Sequence, residues 1–178
     1  KIGTALKRIE RLIRSMLKIT RIDAGSIYFE KSDHSIPNIL DHAINELTTR
    51  ANNEKKEIVI NGDLEQMLYC DIEWTGEAIG NIVKNALDHT DAGGKITISC
   101  ERTPVMIRIF ITDNGHGIAG EDIHHIFKRF YRSKNTSDSQ GIGLGLPLAK
   151  AIIEGQGGIL SVQSERLQGT TFTLSFLT

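Results

Sequence analysis

The 178-residue chain lacks several features that would assign it to other classes of protein. Its two cysteines, Cys70 and Cys100, match neither a zinc spacing nor a disulfide framework, so we expect a reducing compartment. No apolar run approaches the roughly 20 residues of a membrane span, and no signal-peptide pattern is present. The net charge of −1 argues against a dedicated nucleic-acid-binding protein, which would normally be clearly basic.

The chain begins at Lys1, without a methionine, inside a segment with a helical pattern. We therefore expect it to be part of a longer protein. A membrane anchor, if the parent protein has one, would lie outside this segment. The segment itself is expected to be cytoplasmic and to make no membrane contact.

Residues 1 to 23 contain no proline, and their apolar residues recur at spacings of three and four. This pattern predicts a long helix of a helical bundle, ended by Gly25. Two adjacent apolar seams consist of Ile2, Leu6, Ile9, Ile13 and Met16, and of Ala5, Leu12 and Ile19. The other face is basic and carries Lys7, Arg8, Arg11, Arg14, Lys18 and Arg21.

Helical and strand patterns are mixed in the rest of the chain. Helices are predicted over residues 35–51, 72–89 and 144–155, with a short helical stretch near 121–130. Strands are predicted over residues 28–31, 57–61, 66–71, 95–102, 105–113, 159–165 and 170–176. These elements predict an α/β two-layer sandwich, in which about three helices cover one face of a mixed, mainly antiparallel sheet. Residues 1–25 and 26–178 are expected to be separate units.

Two asparagines, Asn81 and Asn85, lie four residues apart on a predicted helix and therefore share a face, with Lys84 and Asp88 beside it and His89 one turn further on. The amide oxygen of Asn85 is a suitable ligand for Mg²⁺, which prefers oxygen and usually has few protein ligands. Lys84 is suited to neutralise phosphate charge. The alternative is a polar helix face turned toward water.

Asp113 ends a predicted strand, and Gly115 and Gly117 follow directly. A carboxylate accepts hydrogen bonds and is able to recognise the amino group of adenine, while glycine permits a tight turn beside a flat ligand. An ordinary turn after a strand is the alternative.

A glycine-rich segment precedes the predicted helix 144–155. Glycine alternates with apolar residues in the order Gly141, Ile142, Gly143, Leu144, Gly145 and Leu146. Backbone N–H groups at such a helix start form an anion site. The spacing fits neither a dinucleotide-binding fingerprint nor a P-loop, and a flexible hinge is the alternative.

Residues 114–140 form a long polar connection, which is typical of functional loops. Within it, the aromatic residues of 126–132 are suited to anchor a lid over a ligand. Arg129, Arg132 and Lys134 are suited to reach phosphate oxygens. The alternative is a short amphipathic helix with a solvated basic face.

These motifs, with the closing residues 169–172, resemble in order the asparagine, first glycine, phenylalanine and second glycine boxes and the final Gly-Thr segment of two-component sensor histidine kinases. The resemblance covers roughly residues 26–178. It implies an ATP site with Mg²⁺ bound by Asn85, Asp113 on adenine and Arg132 near the phosphates. The ATP-binding residues that it implies are Asn81, Lys84, Asn85, His89, Asp113, Gly115, Gly117, Ile118, Tyr131, Arg132, Gly141, Gly143, Leu144, Gly145, Leu146 and Thr171.

The resemblance also implies that residues 1–25 are the second helix of a dimerisation hairpin. The histidine that such a kinase phosphorylates, followed by an acidic residue, is absent: all six histidines lie between residues 34 and 125. We therefore expect the acceptor upstream of Lys1, so that this segment alone would not autophosphorylate. The parent protein is expected to form a homodimer and to pass the phosphoryl group to a response-regulator receiver domain. The basic helix face is a candidate docking surface for that receiver, and a solvated outer face is the alternative.

Three positions depart from the family pattern. Gln140 and Ile142 replace the residues common in the second glycine box, and Gln156 stands where histidine is common. None of the three removes a backbone phosphate contact.

The related chaperone, gyrase and mismatch-repair ATPases carry a glutamate base four residues before the metal-binding asparagine. Here that position is Asn81, and an amide does not accept a proton at neutral pH. Glu77, one turn earlier, is a weak substitute. The sequence thus favours transfer to a supplied histidine over hydrolysis. A non-catalytic ATP-binding module that regulates a partner through its lid is the alternative function.

Overall fold

The computed structural model describes residues 2–62, 64–133 and 141–178. Within them the helices are α1 (Ile2–Asp23), α2 (Ile36–Asn53), α3 (Ile72–Asp88), α4 (Gly120–Ile123) and α5 (Gly145–Gly155). The strands are β1 (Ser32–Ser35), β2 (Glu57–Asn61), β3 (Met67–Cys70), β4 (Lys95–Arg102), β5 (Met106–Asp113), β6 (Ile159–Glu165) and β7 (Gly169–Leu177).

The main sheet has five described strands in the order β2-β4-β5-β7-β6. The β2–β4 pair is parallel, and the other neighbouring pairs are antiparallel. Helices α2, α3 and α5 pack against one another along one face, with α3 in the middle. The predicted two-layer α/β architecture with a mixed, mainly antiparallel sheet is therefore confirmed.

The layers meet in one apolar core that follows the period-two pattern of the strands. On β5 every second residue points inward, from Ile107 through Ile109 and Ile111 to Asp113. Asp113 therefore occupies the last inward-facing position of this strand. Its polar side chain lies at the edge of the apolar layer.

The helix starts follow from local capping. Ser35 caps α2, where its side chain accepts from the Asn38 N–H, and Asp71 caps α3 by accepting from the Trp74 N–H. Each cap satisfies one of the N–H groups that a helix start leaves without an internal partner.

The first predicted strand is displaced. Residues 28–31 are not a strand, and β1 is instead Ser32–Ser35, which pairs with β3 in a separate two-stranded sheet. The reason is packing: Phe29 lies against Trp74 with ring centroids 5.9 Å apart and closes the side of the core as part of a loop. The apolar character of Phe29 therefore reflects its contact with Trp74 and does not indicate strand pairing.

Gln156, one of the departures from the family pattern, is buried and joins α5 to α3. Its side-chain carbonyl accepts from the Asp71 N–H at 2.7 Å, and its side-chain amide donates to the Thr75 hydroxyl at 3.0 Å. Its backbone carbonyl accepts from the Lys31 ammonium. Each of these polar groups is satisfied, so the buried glutamine stabilises the junction instead of weakening it.

Only the last turns of α1 are buried against the rest of the molecule. Ile19 and Ile22 lie in the core, and α1 packs on α5. The Lys18 ammonium lies 2.6 and 2.8 Å from the two carboxylate oxygens of Glu77 on α3, and 5.5 Å from the Trp74 ring centroid. The end of α1 is therefore joined to both α5 and α3.

The earlier turns of α1 expose their apolar seam. The exposed apolar residues there are Ile2, Leu6, Ile9, Ile13 and Leu17. The predicted long helix is thus present, and most of its apolar seam is exposed in this chain. Within the described ranges, no helix combines the length and apolarity needed to cross a membrane.

The predicted helix near residues 121–130 is mostly wrong. Only Gly120–Ile123 is helical, and the chain then continues through turns, with Phe130 at φ 63°. Phe127 anchors the segment by an edge contact with Phe172, ring centroids 6.3 Å apart. A left-handed backbone at residue 130 is incompatible with a helix that continues through this position.

Arg129 forms an ion pair with Asp23 at the end of α1. Arg129 therefore binds α1 and does not line the cavity in which we expect phosphate contacts. Lys134 and Gln140 lie outside the described residues.

The first residue of β7 has no room for a side chain. Gly169 has φ 92°, and a Cβ there would lie 2.0 Å from the Asp113 carbonyl oxygen. The two backbones therefore approach as closely as they do only because glycine occupies this position.

We expect Gly169→Ala to lower the free energy of unfolding by several kcal/mol. The left-handed backbone costs about 1 kcal/mol in a non-glycine residue, and overpacking adds roughly 1–3 kcal/mol. Gly93→Ala is the matched control, because Gly93 has φ 85° but nothing within 4 Å of the added Cβ. Urea unfolding followed by circular dichroism measures both, and equal losses would contradict the steric explanation.

Candidate functional site

A cavity of about 370 Å³ opens between the end of α3, the loop after β5, α4, the start of α5 and the β6–β7 turn. Predicted site residues that line it are Asn85, His89, Asp113, Gly117, Ile118, Tyr131, Arg132, Gly141, Gly143 and Leu146. Residues that were distant in sequence thus meet around one space large enough for a small ligand.

The other predicted residues lie elsewhere. Asn81 and Lys84 line a second cleft between α1, α2 and α3, together with Lys18 and Glu77. Gly115, Leu144, Gly145 and Thr171 are absent from the cavity wall. The face shared by Asn81 and Asn85 is therefore divided between two openings, one turn apart along α3.

Thr171 points to the opposite face of the sheet, where its hydroxyl lies 3.0 Å from that of Thr112. Its neighbour Thr170 is buried and lines the cavity, opposite Asp113 in the β5–β7 register. Since strand side chains alternate between faces, only one of the two threonines is able to reach the cavity.

Asp113 places a buried carboxylate in the cavity wall, and only 4% of its surface is exposed. The Gly115 N–H donates to its Oδ1 at 2.9 Å. Burial raises the pKa of Asp113 above its ordinary value, although hydrogen bonds from the backbone of Gly115 and Thr170 and the charge of His116 lower it. The site therefore holds an acceptor whose ionised form lacks much of its hydration, and a donor from a ligand would stabilise that form.

Two glycines after Asp113 permit close backbone contacts. A Cβ on Gly115 would lie 2.1 Å from the His89 carbonyl oxygen, and one on Gly117 would lie 2.1 Å from the Glu165 carbonyl oxygen. The loop after β5 is thus fixed on one side to the end of α3 and on the other to the end of β6. Gly115 acts by positioning Asp113 and does not line the cavity.

The end of α3 contributes Asn85 and His89 to the cavity. Burial lowers the pKa of His89, so its imidazole is neutral at pH 7 and adds no positive charge to the wall. Nearby Asp88 pairs with Arg50 at 2.6 Å. The amide of Asn85 therefore lies beside groups that are neutral or already paired.

The segment after α4 is fixed to the cavity by Asp122, a buried carboxylate. The hydroxyls of Tyr131 and Ser133 both donate to it. The hydrogen bond to Asp122 raises the pKa of the Tyr131 phenol, which therefore stays protonated as a donor. This arrangement holds the neighbouring Arg132 at the cavity wall.

The glycine-rich segment closes the same side. The Phe130 N–H donates to the Gly143 carbonyl at 2.8 Å, and a Cβ on Gly143 would lie 2.8 Å from the Tyr131 carbonyl oxygen. Leu144 precedes α5 without a side-chain cap. The first N–H groups of α5 therefore lack a side-chain cap, which leaves them suited to an anion.

Sequence reasoning missed part of the wall. The additional lining residues are His116, Ala119, Asp122, Ile126, Ser133, Arg166, Leu167 and Thr170, beside Asp88. For Thr170 there was a signal in the sequence, because alternate residues of a strand face the same side of the sheet. The pairing of Asp122 and the position of the β6–β7 turn depend on tertiary contacts and left no comparable signal.

The cavity fits a magnesium ion held mainly by a ligand. No cluster of three or more His, Cys, Asp or Glu side chains suited to a metal occurs among the described residues. Mg²⁺ often has only one or two protein ligands, with phosphate and water completing the shell. The Asn85 amide in the wall is compatible with that type of site.

Comparisons with known proteins agree on one family. A family model described as histidine kinase-, DNA gyrase B-, and HSP90-like ATPase matches residues 70–178. The sensor protein SrrB of Staphylococcus aureus is 32% identical over 170 residues, which are 94% of this chain and 29% of that protein. The chain thus spans under a third of the length of the curated relatives it matches.

Solved structures have the same fold. The Acinetobacter baumannii histidine kinase AdeS matches with a TM-score of 0.79 and 21% identity, over 99% of this chain and 83% of that one. Histidine kinase ThkA, solved in complex with response regulator protein TrrA, matches with a TM-score of 0.77 and 21% identity, over 99% and 49% of the two chains. The chain belongs to the family of histidine kinase-, DNA gyrase B- and HSP90-like ATPases, as an ATP-binding domain of the two-component sensor histidine kinase type.

Proposed function

We propose that this chain binds Mg–ATP and donates the γ-phosphoryl group to a histidine carried by another part of its parent protein. The supporting observation is the cavity itself, in which a buried carboxylate, an amide, an arginine and a glycine-rich helix start line one space. The carboxylate matches the base of a nucleotide, and the amide matches its metal ion. The arginine and the helix start both match its phosphates.

At the base end, Asp113 accepts a hydrogen bond from the adenine amino group while Gly115 keeps the carboxylate oriented. At the phosphate end, Arg132 and the first N–H groups of α5 bind the phosphate oxygens. Asn85 would hold Mg²⁺, which when bound supplies charge neutralisation for the phosphates.

Three observations favour transfer over hydrolysis. Asn81 is an amide and lies outside the cavity wall. Glu77, the weak substitute base one turn earlier, is paired with Lys18 in the second cleft. Each acidic side chain among the described lining residues already has a partner: Asp88 pairs with Arg50, Asp113 accepts from Gly115, and Asp122 accepts from Tyr131 and Ser133.

A water molecule in the cavity therefore meets, on the described part of the wall, no unpaired carboxylate that could act as its base. An imidazole needs no such base for the attack itself: its neutral nitrogen forms the N–P bond, the bond between phosphorus and the leaving oxygen breaks, ADP leaves, and the proton on the other ring nitrogen passes to solvent. The chain then supplies position and charge, which is most of what phosphoryl transfer requires.

We further propose that the parent protein is a homodimer anchored outside this segment, which lies in the cytoplasm. The exposed seam of α1 supports the dimer, because a two-fold bundle would bury it. A response-regulator receiver is the proposed recipient of the phosphoryl group, in line with the solved complex of ThkA with TrrA.

Asp113→Asn is expected to weaken binding of a non-hydrolysable ATP analogue with magnesium by roughly tenfold to a hundredfold, the usual loss for a hydrogen bond to a charged group. Isothermal titration calorimetry measures it. Asp33→Asn is the control, since Asp33 is exposed on β1 and outside the cavity. No binding by the unmodified chain, or unchanged binding by Asp113→Asn, would disprove the proposed site.

The stability of Asp113→Asn should depend on pH in a defined direction. Because the folded pKa of Asp113 is raised above 3.8, wild-type stability is lost as pH rises from that value through the folded pKa, whereas the variant has no such loss. The variant should therefore gain stability relative to wild type between pH 4 and pH 7. Denaturant unfolding at both pH values measures the difference, and a change in the opposite direction would refute the assigned pKa shift.

The parent protein, incubated with ATP, should form an acid-labile phosphate typical of phosphohistidine. Reversing the charge of Arg11 and Arg14 on the basic face of α1 should then slow transfer to the receiver several-fold, with less effect on autophosphorylation. Arg102→Glu is the control, because Arg102 is exposed at the end of β4. An acid-stable product would rule out a histidine acceptor, and equal effects on both steps would rule out receiver docking on this face.

A further inference from the structure

The turn between β6 and β7, residues 166–168, forms part of the cavity wall through Arg166 and Leu167. The sequence pattern did not single out this turn, and the proposed function assigns no role to it. Arg166 is exposed and forms no ion pair with any residue that the structure describes. Its guanidinium is therefore available to a ligand.

Leu167 carries two unfavourable features at the cavity mouth. It is 80% exposed, although it is a large apolar residue, and it has φ 65°, a left-handed backbone that costs about 1 kcal/mol outside glycine. An apolar ligand surface placed against it would remove the exposed area from water and offset the first of these costs.

The turn is fixed to the loop that follows Asp113. The Leu167 N–H donates to the His116 carbonyl at 2.7 Å, and the Ile118 N–H donates to the Ser164 hydroxyl at 2.8 Å. A Cβ on Gly117 would also lie 3.1 Å from the Arg166 Cα. The turn therefore belongs to the part of the wall that carries Asp113. Arg132 and the glycine-rich segment form another part of the wall.

We propose that Arg166 and Leu167 bind the purine base, with the guanidinium plane against the ring face and the leucine side chain covering its edge. Arginine stacks on flat π systems through its planar, weakly hydrated cation, and an adjoining apolar side chain suits the same ring. This inference rests on the proposed nucleotide function and deepens it by adding a base-recognition element to the Asp113 wall.

Arg166→Ala and Leu167→Gly should each weaken nucleotide binding by about threefold to tenfold, in the range of cation–π and apolar contacts. The loss should be the same for a non-hydrolysable ATP analogue, ADP and AMP, because a base contact does not depend on the number of phosphates. Arg166→Lys should not restore affinity, since it keeps the charge but loses the plane. Titrations followed by protein amide chemical shifts measure strong and weak ligands alike.

Matched variants separate binding from folding. Leu167→Gly relieves the left-handed strain, so it should bind less tightly while unfolding at equal or higher denaturant concentration. Lys55→Gly is its control, because Lys55 has φ 56° and lies outside the cavity. Arg102→Ala is the control for Arg166→Ala, and neither control should change affinity.

The possible results decide between explanations. A loss that grows with the number of phosphates and is restored by Arg166→Lys would mean a phosphate contact and overturn the proposal. Unchanged binding by both turn variants, with normal binding by wild type, would overturn it while leaving the nucleotide site intact. Failure of wild type to bind the ATP analogue would overturn the proposed function and this inference together.

Discussion

The structure of the site depends on backbone segments that approach too closely for any side chain. Around Asp113, a Cβ on Gly115, Gly117 or Gly169 would lie 2.0 to 2.1 Å from a carbonyl oxygen of another element. The three contacts join the loop after β5 to α3, to the end of β6 and to the start of β7. They fix the position of Asp113 from three directions, and the rest of the cavity is arranged around it.

This rigidity explains how a buried carboxylate is tolerated. Burial disfavours the charge of Asp113, and two backbone hydrogen bonds only partly compensate. The Gly115 N–H, which donates to Oδ1 at 2.9 Å, holds the carboxylate in the cavity wall. A polar group held in this way is costly for the fold and useful for recognition, because a ligand donor meets an acceptor that needs little reorganisation.

Much of the architecture could be predicted from sequence because it depends on local patterns. The alternation along β4, β5 and β7, the caps at Ser35 and Asp71 and the glycine at residue 25 locate most helices and strands within a residue or two. The α/β class follows from the order of these elements.

The errors share a different cause. Residues 28–31 and 121–130 contain apolar side chains that pack individually into the core, as Phe29 and Phe127 do, and this imitates a strand or helix pattern. The cavity wall could be predicted where a motif contributed to it, as at Asn85, Asp113 and Gly143. The β6–β7 turn and the Asp122 hydrogen bonds come from contacts between distant segments, so periodicity and spacing carry no information about them.

The end of α1 has one mechanical consequence. Asp23 is bound to Arg129, three residues before Arg132 in the cavity wall, while Lys18 is bound to Glu77 on the far side of α3. Since successive residues of a helix are 100° apart, even a modest axial rotation of α1 would move Asp23 and Lys18 in different directions. A torque on this helix would therefore reach the ligand-binding wall by two routes: through the Asp23–Arg129 ion pair, and through the packing of α1 on α5, which begins at the cavity.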